Sequence, residues 1–283
     1  MTTIDKTSRP PTYGATDDAA ICRIHRGSHV EKMTDRVLVE EPLTIMVHEV
    51  GSFTVMCTPC DLEALAVGFL YSEGMIRSAD EVTALLTKDN VPNVMGVEIQ
   101  EPARAGIARN LVVASSCGLC GVRNIQKMLS DVPACPCSLE VPADLLFTIT
   151  EELRSRQETF ALTGSSHAAA VFDRDGALVA CAEDIGRHNA LDKVIGKCLL
   201  AKRAPRGCGV ALSGRVSLEM VTKAARAGLE LVVAVSGVSS YAITAAKQWN
   251  ITLCGFVRNG KINIYTDPTR IRLGNHGRYA HAG

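Results

Sequence analysis

The sequence predicts an α/β protein with a small α+β domain over residues 36–138 and a larger α/β domain over residues 139–283. In the second half, short apolar runs alternate with helical runs, which is typical of a mostly parallel sheet in a three-layer α/β/α arrangement. The chain has 283 residues and is 47% hydrophobic, which is enough for two cores. Residues 1–35 are rich in Thr, Asp, Pro and Gly with little periodicity, which predicts a flexible N-terminal tail.

Periodicity and turn residues predict the elements of the first domain. Apolar residues at alternate positions on both sides of a Gly-Ser pair predict a hairpin, and Thr58-Pro59 before an apolar face predicts a helix with Thr58 as its N-cap. Gly74 is expected to end that helix. The predicted elements are a hairpin over 43–56, a helix over 59–72, a short helix over 80–87, and strands over 94–99 and 111–116.

The second domain is predicted as alternating strands and helices that end in a hairpin. One helix carries Leu191, Val194, Ile195 and Cys198 on a single face at helical spacing, and Asn259-Gly260 is typical of a tight hairpin turn. The predicted helices cover 150–158, 187–201, 216–227 and 239–249, and the predicted strands cover 168–172, 177–182, 208–212, 229–235, 251–257 and 262–266.

The candidate catalytic residues are Cys117 and Cys120, in the stretch Ser-Ser-Cys-Gly-Leu-Cys-Gly at 115–121. A β-branched apolar run precedes the two cysteines and apolar residues at helical spacing follow them, which predicts a strand-to-helix turn. Free N–H groups at a helix N-terminus favour a thiolate, and Arg123 and Lys127 would add positive charge nearby. The turn is therefore expected to present nucleophilic thiols.

The spacing of this C-x-x-C pair alone leaves four interpretations open: a redox dithiol, half of a metal site, a sulfur-transfer nucleophile, or inert thiols. A thioredoxin-like site is disfavoured because the βαβ pattern lies in the other domain. A four-cysteine zinc site would recruit Cys57 and Cys60, but the intervening residues 61–116 far exceed the spacing of common zinc ribbons. A zinc deaminase is excluded, because its H-x-E motif needs a glutamate two residues after a histidine, and Ala169 and Ala190 stand there after His167 and His188. Cys60, in a predicted first helical turn, is expected to be mildly acidic.

Three polar loops, at 183–189, 213–215 and 236–240, follow strands of the second domain and predict an anion-binding edge. The ends of parallel strands meet beside helix N-termini, where N–H groups bind phosphates. Taken one at a time, such Ser and Gly residues could equally be helix caps, and His188 a solvated helix residue. The candidate cofactor-binding residues in these loops are Arg187, His188, Ser213 and Arg215, and the turn after them would add a basic rim at 258–261.

Charge and cysteine usage restrict the class of protein further. Lys plus Arg and Asp plus Glu number 30 each, so net charge indicates neither nucleic acid nor an anionic membrane as partner. No apolar run has the length of a signal peptide core or a membrane span, which predicts a cytoplasmic protein. The 11 cysteines are an odd number spread along the chain, which argues against a secreted disulfide scaffold. No catalytic metal of the protein's own is expected.

These motifs resemble those of the formate dehydrogenase accessory sulfurtransferases, the FdhD family. The resemblance covers residues 36–271. It rests on Glu40-Glu41-Pro42-Leu43, Thr58-Pro59, the residues 65–70, Glu73-Gly74, the residues 115–121, Thr163-Gly164, His167-Ala168-Ala169-Ala170, the residues 183–196, Ser213-Gly214-Arg215, Glu219-Met220-Val221, Gly255-Phe256 and Arg258.

The resemblance implies a sulfur carrier. A cysteine desulfurase would load sulfur onto Cys117 as a persulfide, and the carrier would pass it to the bis-molybdopterin guanine dinucleotide molybdenum cofactor before that cofactor enters formate dehydrogenase. The resemblance also implies a cytidine deaminase-like second domain and a homodimer. The segment that would contact the cofactor comprises Phe256, Val257, Arg258, Asn259, Gly260 and Lys261.

The chain departs from the family pattern at Cys57 and Cys60, where other residues are expected. The alternative to a sulfur carrier is a nucleotide- or cofactor-binding chaperone with a structural or zinc-bound C-x-x-C. A thiol–disulfide oxidoreductase is a third interpretation. Whether Cys120 is required, and what Cys57, Cys60, Cys135 and Cys137 do, are questions that the pattern does not answer.

Overall fold

The computed structural model describes residues 14–27, 29–88, 91–102, 111–113 and 132–274. The motif with Cys117 and Cys120 lies outside these residues. Within the described ranges, none of the helices is both long and apolar enough to cross a bilayer.

Alternation of apolar and polar residues builds the first sheet. Leu43, Ile45 and Val47 are buried on one face and pack, with residues of the next strand, against helix α1 (Leu62–Ser72). The strands are β3 (Glu41–Val47), β4 (Gly51–Cys57), β5 (Val82–Lys88), β6 (Val91–Ile99) and β7 (Leu111–Val113), in the spatial order β5-β6-β3-β4-β7. The predicted hairpin is confirmed by the antiparallel pairing of β3 with β4.

Two predictions for this region are wrong. Residues 82–88 form a strand instead of a helix, because pairing with β6 outweighs the weak local preference of a Thr- and Leu-containing segment. The helix begins at Leu62 and not at residue 59, because Thr58 is buried and its side chain accepts a hydrogen bond from the Ile185 N–H instead of capping the helix. Gly74 does end the helix, with φ of 78°.

The predicted tail contains regular structure. An antiparallel hairpin, β1 (Thr16–Ile24) and β2 (Val30–Leu38), forms a separate two-stranded sheet. Neither strand contains a buried residue, so its sequence shows no alternation of apolar and polar positions. The absence of a buried face is why periodicity misses this hairpin.

A six-stranded mixed sheet forms the second part of the protein, with the order β10-β9-β11-β12-β13-β14. Its strands are β9 (His167–Phe172), β10 (Leu178–Asp184), β11 (Gly209–Leu212), β12 (Leu231–Ala234), β13 (Thr252–Arg258) and β14 (Lys261–Ile264); the short strands β8 (Val141–Pro142) and β15 (Ile271–Arg272) pair separately. The α/β class is confirmed. The expectation of a mostly parallel sheet is corrected, because only β11-β12 and β12-β13 are parallel and the other three pairs are antiparallel.

Helices cover both faces of this sheet and complete three layers. One face packs against α4 (Arg187–Leu200), α5 (Leu218–Arg226) and α6 (Ser240–Gln248), and the other against α2 (Ala143–Ser155). A short helix, α3 (Glu158–Thr163), follows α2. Helix α2 begins seven residues before the predicted 150, because Leu146, Ile149 and Leu153 form its buried face. The domain boundary at 138 stays a prediction, although Val132 and Cys135 pack in the core of the second sheet.

The register of the sheet determines where a ligand could bind. Because β9 is antiparallel to both of its neighbours, β10 and β11 run in the same direction. The carboxyl ends of β10, β11, β12 and β13 therefore meet at one edge, where β9 starts with His167. Ligands in open α/β sheets bind at this edge.

Candidate functional site

A cavity of about 830 Å³ opens at the carboxyl edge of the second sheet. Its volume lies in the range of small-molecule and cofactor sites. Three segments line most of it: the face of α2 and α3 that includes Phe147, Arg154 and Phe160, the residues 164–167, and the residues 257–260. The side chains include cationic, aromatic and amide groups, which together suit a nucleotide.

The hairpin wall of the cavity has an unusual backbone. Strand β13 bulges between Gly255 and Arg258, and Phe256 adopts a φ of 52°, which is uncommon for an aromatic residue. The Phe256 N–H donates to the Ser236 carbonyl oxygen at 3.1 Å, which holds the bulge. The bulge turns successive residues to new directions, so Arg258 reaches the cavity while its guanidinium carbon lies 5.6 Å from the Phe256 ring centroid.

The turn that follows the bulge supplies a concave backbone. Asn259 and Gly260 both have positive φ, 52° and 69°, as a tight hairpin turn of the predicted kind requires. Both residues line the cavity. Consecutive N–H groups in a turn can bind an anion, and Arg258 adds a positive charge beside them.

The opposite wall consists of α2 and α3. The guanidinium carbon of Arg154 lies 4.3 Å from the centroid of the Phe160 ring. Glu183, at the end of β10, accepts hydrogen bonds from the N–H groups of Thr159 and Phe160 at 2.8 and 2.9 Å, and from the Ser166 hydroxyl at 2.5 Å. The Glu183 carboxylate therefore holds the start of α3 and the 164–167 loop together.

His167 lies between this wall and the strand ends. Burial lowers its pKa from the ordinary value, and the positive charges of Arg187 and Arg215 lower it further, while Asp184 acts in the opposite direction. His167 is therefore neutral at pH 7 and can donate or accept a hydrogen bond in the cavity. Next to it, the Ser213 hydroxyl accepts a hydrogen bond from the Ala168 N–H at 2.8 Å.

The structure brings together half of the ten candidate cofactor-binding residues. Those that line the cavity are Ser213, Val257, Arg258, Asn259 and Gly260. The remaining five are placed elsewhere. Phe256 packs on Gly237, and Lys261 is exposed on β14. His188 is buried with its Nε2 3.4 Å from Glu219, and Arg187 and Arg215 affect the cavity through the positive charge they place near His167. Helix capping accounts for Ser239, whose Oγ accepts from the Ala242 N–H at 3.2 Å.

Cys57 and Cys60 lie at the junction of the two sheets, beside a buried ion pair. The Nζ of Lys193 is 2.7 Å from Asp184 and 3.5 Å from the Cys60 Sγ. Burial raises the pKa of Cys57 to about 12. Burial also raises the pKa of Cys60, although Lys193 opposes this effect, so the expectation of a mildly acidic Cys60 thiol is wrong. Among the described residues no cluster of three or more His, Cys, Asp or Glu side chains could hold a metal ion.

Comparison with known proteins identifies the family. A model of the FdhD/NarQ family matches residues 38–272. The chain belongs to the FdhD/NarQ family. The resemblance inferred from the motifs is thereby confirmed, and the match excludes most of the β1–β2 hairpin.

Members of the FdhD/NarQ family with curated names are similar along nearly their whole length. A sulfur carrier protein FdhD from Sulfurisphaera tokodaii is 37% identical over 241 residues, which is 84% of this chain and 92% of the relative. A sulfur carrier protein FdhD from Bordetella petrii is 36% identical over 276 residues, covering 93% and 97%. The crystal structure of a formate dehydrogenase accessory protein from Desulfotalea psychrophila is similar to this chain, with a TM-score of 0.75, 26% identity, and 92% and 100% of the two chains covered.

Sequence reasoning missed the α2–α3 wall of the FdhD/NarQ cavity. Four residues of this wall lie in or just after the helix predicted over 150–158: Glu151, Arg154, Gln157 and Phe160. The prediction starts that helix seven residues too late and assigns these side chains no role. Their polar and aromatic character follows no motif. The available signal was helical spacing from Phe147 onward, which places 147, 150, 151 and 154 on one face.

Proposed function

We propose that this protein is a sulfurtransferase that carries sulfur as a persulfide on Cys117 and delivers it to the bis-molybdopterin guanine dinucleotide molybdenum cofactor used by formate dehydrogenase. The observation that carries this proposal is the 37% identity to a named sulfur carrier over 92% of that relative's length. The cavity at the strand ends supports the second half of the proposal, because an anionic dinucleotide substrate needs a site of this kind.

The loading step is a thiol–persulfide exchange with a cysteine desulfurase. The Cys117 thiolate attacks the outer sulfur of the desulfurase persulfide, and a new S–S bond forms as the old one breaks. The electron pair of the broken bond leaves on the desulfurase cysteine as a thiolate, and the outer sulfur keeps its proton. Cys117 then bears the persulfide with no net oxidation or reduction.

The delivery step gives Cys120 a role as the resolving thiol. The Cys120 thiolate attacks the inner sulfur of the Cys117 persulfide, so that a Cys117–Cys120 disulfide forms and the outer sulfur leaves as hydrosulfide to the acceptor. The two cysteine sulfurs supply the two electrons that reduce the outer sulfur. A cellular dithiol then reduces the disulfide and restores both thiols.

The cavity would hold the cofactor as a substrate. Arg258 and the N–H groups of the 259–260 turn are suited to phosphate oxygens, and Ser213 and His167 are suited to hydrogen bonds with further polar groups. The partners in this proposal are the desulfurase, formate dehydrogenase and a second copy of the chain in a homodimer. The proposed compartment is the cytoplasm.

Persulfide mapping tests the sulfur-carrier role. Wild-type protein is incubated with a cysteine desulfurase and cysteine, and intact mass and peptide mass are measured with and without reductant. We expect reversible addition of sulfur at Cys117, none in Cys117→Ser, and retained loading in Cys120→Ser. Cys137, an exposed free cysteine in the described part of the chain, provides the matched control, since Cys137→Ser should load as wild type does.

The outcomes separate the sulfur carrier from its alternative. If Cys117→Ser gains the same amount of reductant-sensitive sulfur as wild type, the carrier assignment fails. The cavity would still favour a cofactor-binding chaperone, in which the C-x-x-C is structural or binds zinc. Elemental analysis then distinguishes that protein, because a zinc-bound pair would give about one zinc per chain and thiols that react only after chelation.

A further inference from the structure

Glu151 is the single acidic residue among the described residues that line the cavity. It lies on α2 with Phe147 four residues before it and Arg154 three residues after it, so the three side chains share one face of the helix. The rest of the cavity wall carries cationic or neutral groups, Arg258 among them. The Glu151 side chain is exposed in the free protein, so its carboxylate is accessible to a ligand that enters the cavity.

The neighbouring charges are already engaged elsewhere. Glu152, the next residue on α2, pairs with Arg156 at 2.7 Å and does not line the cavity. Arg154 lies over the Phe160 ring. Within the described residues, Glu151 has neither a hydrogen bond nor an ion pair that would occupy its carboxylate. Its acceptor oxygens are therefore available to a ligand.

A carboxylate repels the phosphates of a nucleotide and so must face a part of the ligand that donates hydrogen bonds. Guanine has adjacent N1–H and N2–H₂ donors on one edge, which match the two oxygens of a carboxylate. Adenine places an acceptor, N1, at the corresponding position, and would be repelled. The Phe147 ring lines the same wall and offers apolar surface to a flat base, beside the Phe160 ring that Arg154 covers on one face.

We propose that Glu151 determines the specificity of the cavity for guanine by accepting hydrogen bonds from N1–H and N2–H₂ of the base. This inference rests on the proposed function, in which the cavity holds a guanine dinucleotide, and it assigns the base-recognising residue to α2. The phosphates then face the 257–260 segment, away from the carboxylate.

Titration with three nucleotides tests this assignment on the full chain. Binding of GDP, IDP and ADP to wild type, Glu151→Gln and Glu152→Gln is measured by calorimetry. Hydrogen bonds to a charged group contribute strongly to binding affinity, so we expect wild type to bind GDP about 10- to 100-fold more tightly than ADP. IDP lacks the N2 amine and should bind with an affinity between the two. In Glu151→Gln the preference for GDP over ADP should fall to about threefold or less, because one acceptor oxygen becomes a donor.

Glu152→Gln is the control, and it should keep the wild-type order of affinities for GDP, IDP and ADP and the ratios between them. Equal loss of GDP and ADP affinity in Glu151→Gln would indicate a structural role and overturn the inference, as would an unchanged ratio. If Glu151→Gln fails to fold, the wild-type series decides, since equal affinity for GDP, IDP and ADP overturns the inference. If no nucleotide binds to wild type, the cavity assignment falls as well, whereas persulfide loading of Cys117 tests the sulfur-carrier role independently.

Discussion

His167 shows at the scale of a single residue how position alters chemistry. Its imidazole lies in the cavity wall, near the guanidinium groups of Arg187 and Arg215 and near the carboxylate of Asp184. Burial, followed by the two arginines, lowers its pKa, so the free protein holds it neutral at pH 7. A bound phosphate would favour the imidazolium and raise that pKa.

This difference predicts pH-dependent binding. At a pH between the pKa values of His167 in the free and in the bound protein, binding takes up a proton. Affinity for GDP should therefore rise as pH falls from 8 to 6, by up to about tenfold for each unit by which binding raises the pKa. His167→Asn, which cannot titrate, should show only the pH dependence of the nucleotide phosphates. Calorimetry in buffers of different ionisation enthalpy measures the proton uptake, and parallel pH profiles for the two proteins would contradict the prediction.

The sequence predicts the position of some residues of the site and not of others. Ser213 follows a predicted strand, the turn at 258–261 was expected to add a basic rim, and the resemblance implied the longer segment 256–261. Of these residues, Ser213 and 257–260 line the cavity. His188 fits the same pattern but is buried against Glu219, because the turn of α4 directs it away from the cavity. A side chain's direction depends on the exact start of its helix, which local pattern locates only within a few residues.

At the scale of elements, the two sheets are joined through close contact between α1 and α4. Gly68 and Gly196 lie where the helices touch, and a Cβ at either position would overlap a backbone carbonyl oxygen of the other helix, that of Asp192 or that of Ala64. Lys193, on α4, also links the two parts: its buried Nζ lies 2.7 Å from Asp184 and donates to the Thr58 carbonyl oxygen, shortly before α1, at 2.9 Å. The helices can approach this closely only because both positions lack a side chain.

Substitution of Gly196 by Ala is therefore expected to destabilise the protein. The added methyl forces α1 and α4 apart, at a cost of about 1–3 kcal/mol for an overpacked contact, and the thermal midpoint should fall by about 3–9 °C. Leu200→Ala, at the exposed end of the same helix, should change the midpoint by less than about 2 °C. Differential scanning calorimetry measures both, and equal midpoints for Gly196→Ala and wild type would refute this account of the junction.

Elements were predictable where burial imposes a pattern. Strands β3 and β4 and helix α6 each bury one face or stripe, and helices α4 and α5 are buried on most sides but keep apolar residues at helical spacing, so residue spacing indicated all five to within a few positions. Strand β5 was not predictable, because its pairing partner β6 decides its conformation. The β1–β2 hairpin buries neither face, so no pattern marks it.

At the scale of the whole molecule, the β1–β2 hairpin is peripheral to both cores. It is its own sheet, its strands contain no buried residue, and its Ile24 and Val30 side chains are exposed. Outside its own two strands, its largest element contact is between β2 and the short helix α3. A two-stranded hairpin of this kind contributes little to the stability of the rest.

Removal of residues 1–37 should therefore leave the remaining structure intact. We expect the thermal midpoint to change by less than about 3 °C, equivalent to about 1 kcal/mol for a protein of this size, and the far-ultraviolet circular dichroism to keep its helical signal. The full chain, prepared in parallel, is the reference. A loss of cooperative unfolding in the shortened protein would show that the hairpin supports a core.

The sequence by itself determined the α/β class, the order of most elements, the family and the identity of Cys117 as the candidate carrier, because these depend on local periodicity and on contiguous motifs. Only the tertiary structure decided that the sheet is mixed, that α2 and α3 form a wall of the cavity, and that Glu151 lies in it with Arg258 and His167. The physical reason is that strand pairing and helix packing join residues more than 100 positions apart, and nothing in the local sequence specifies those partners.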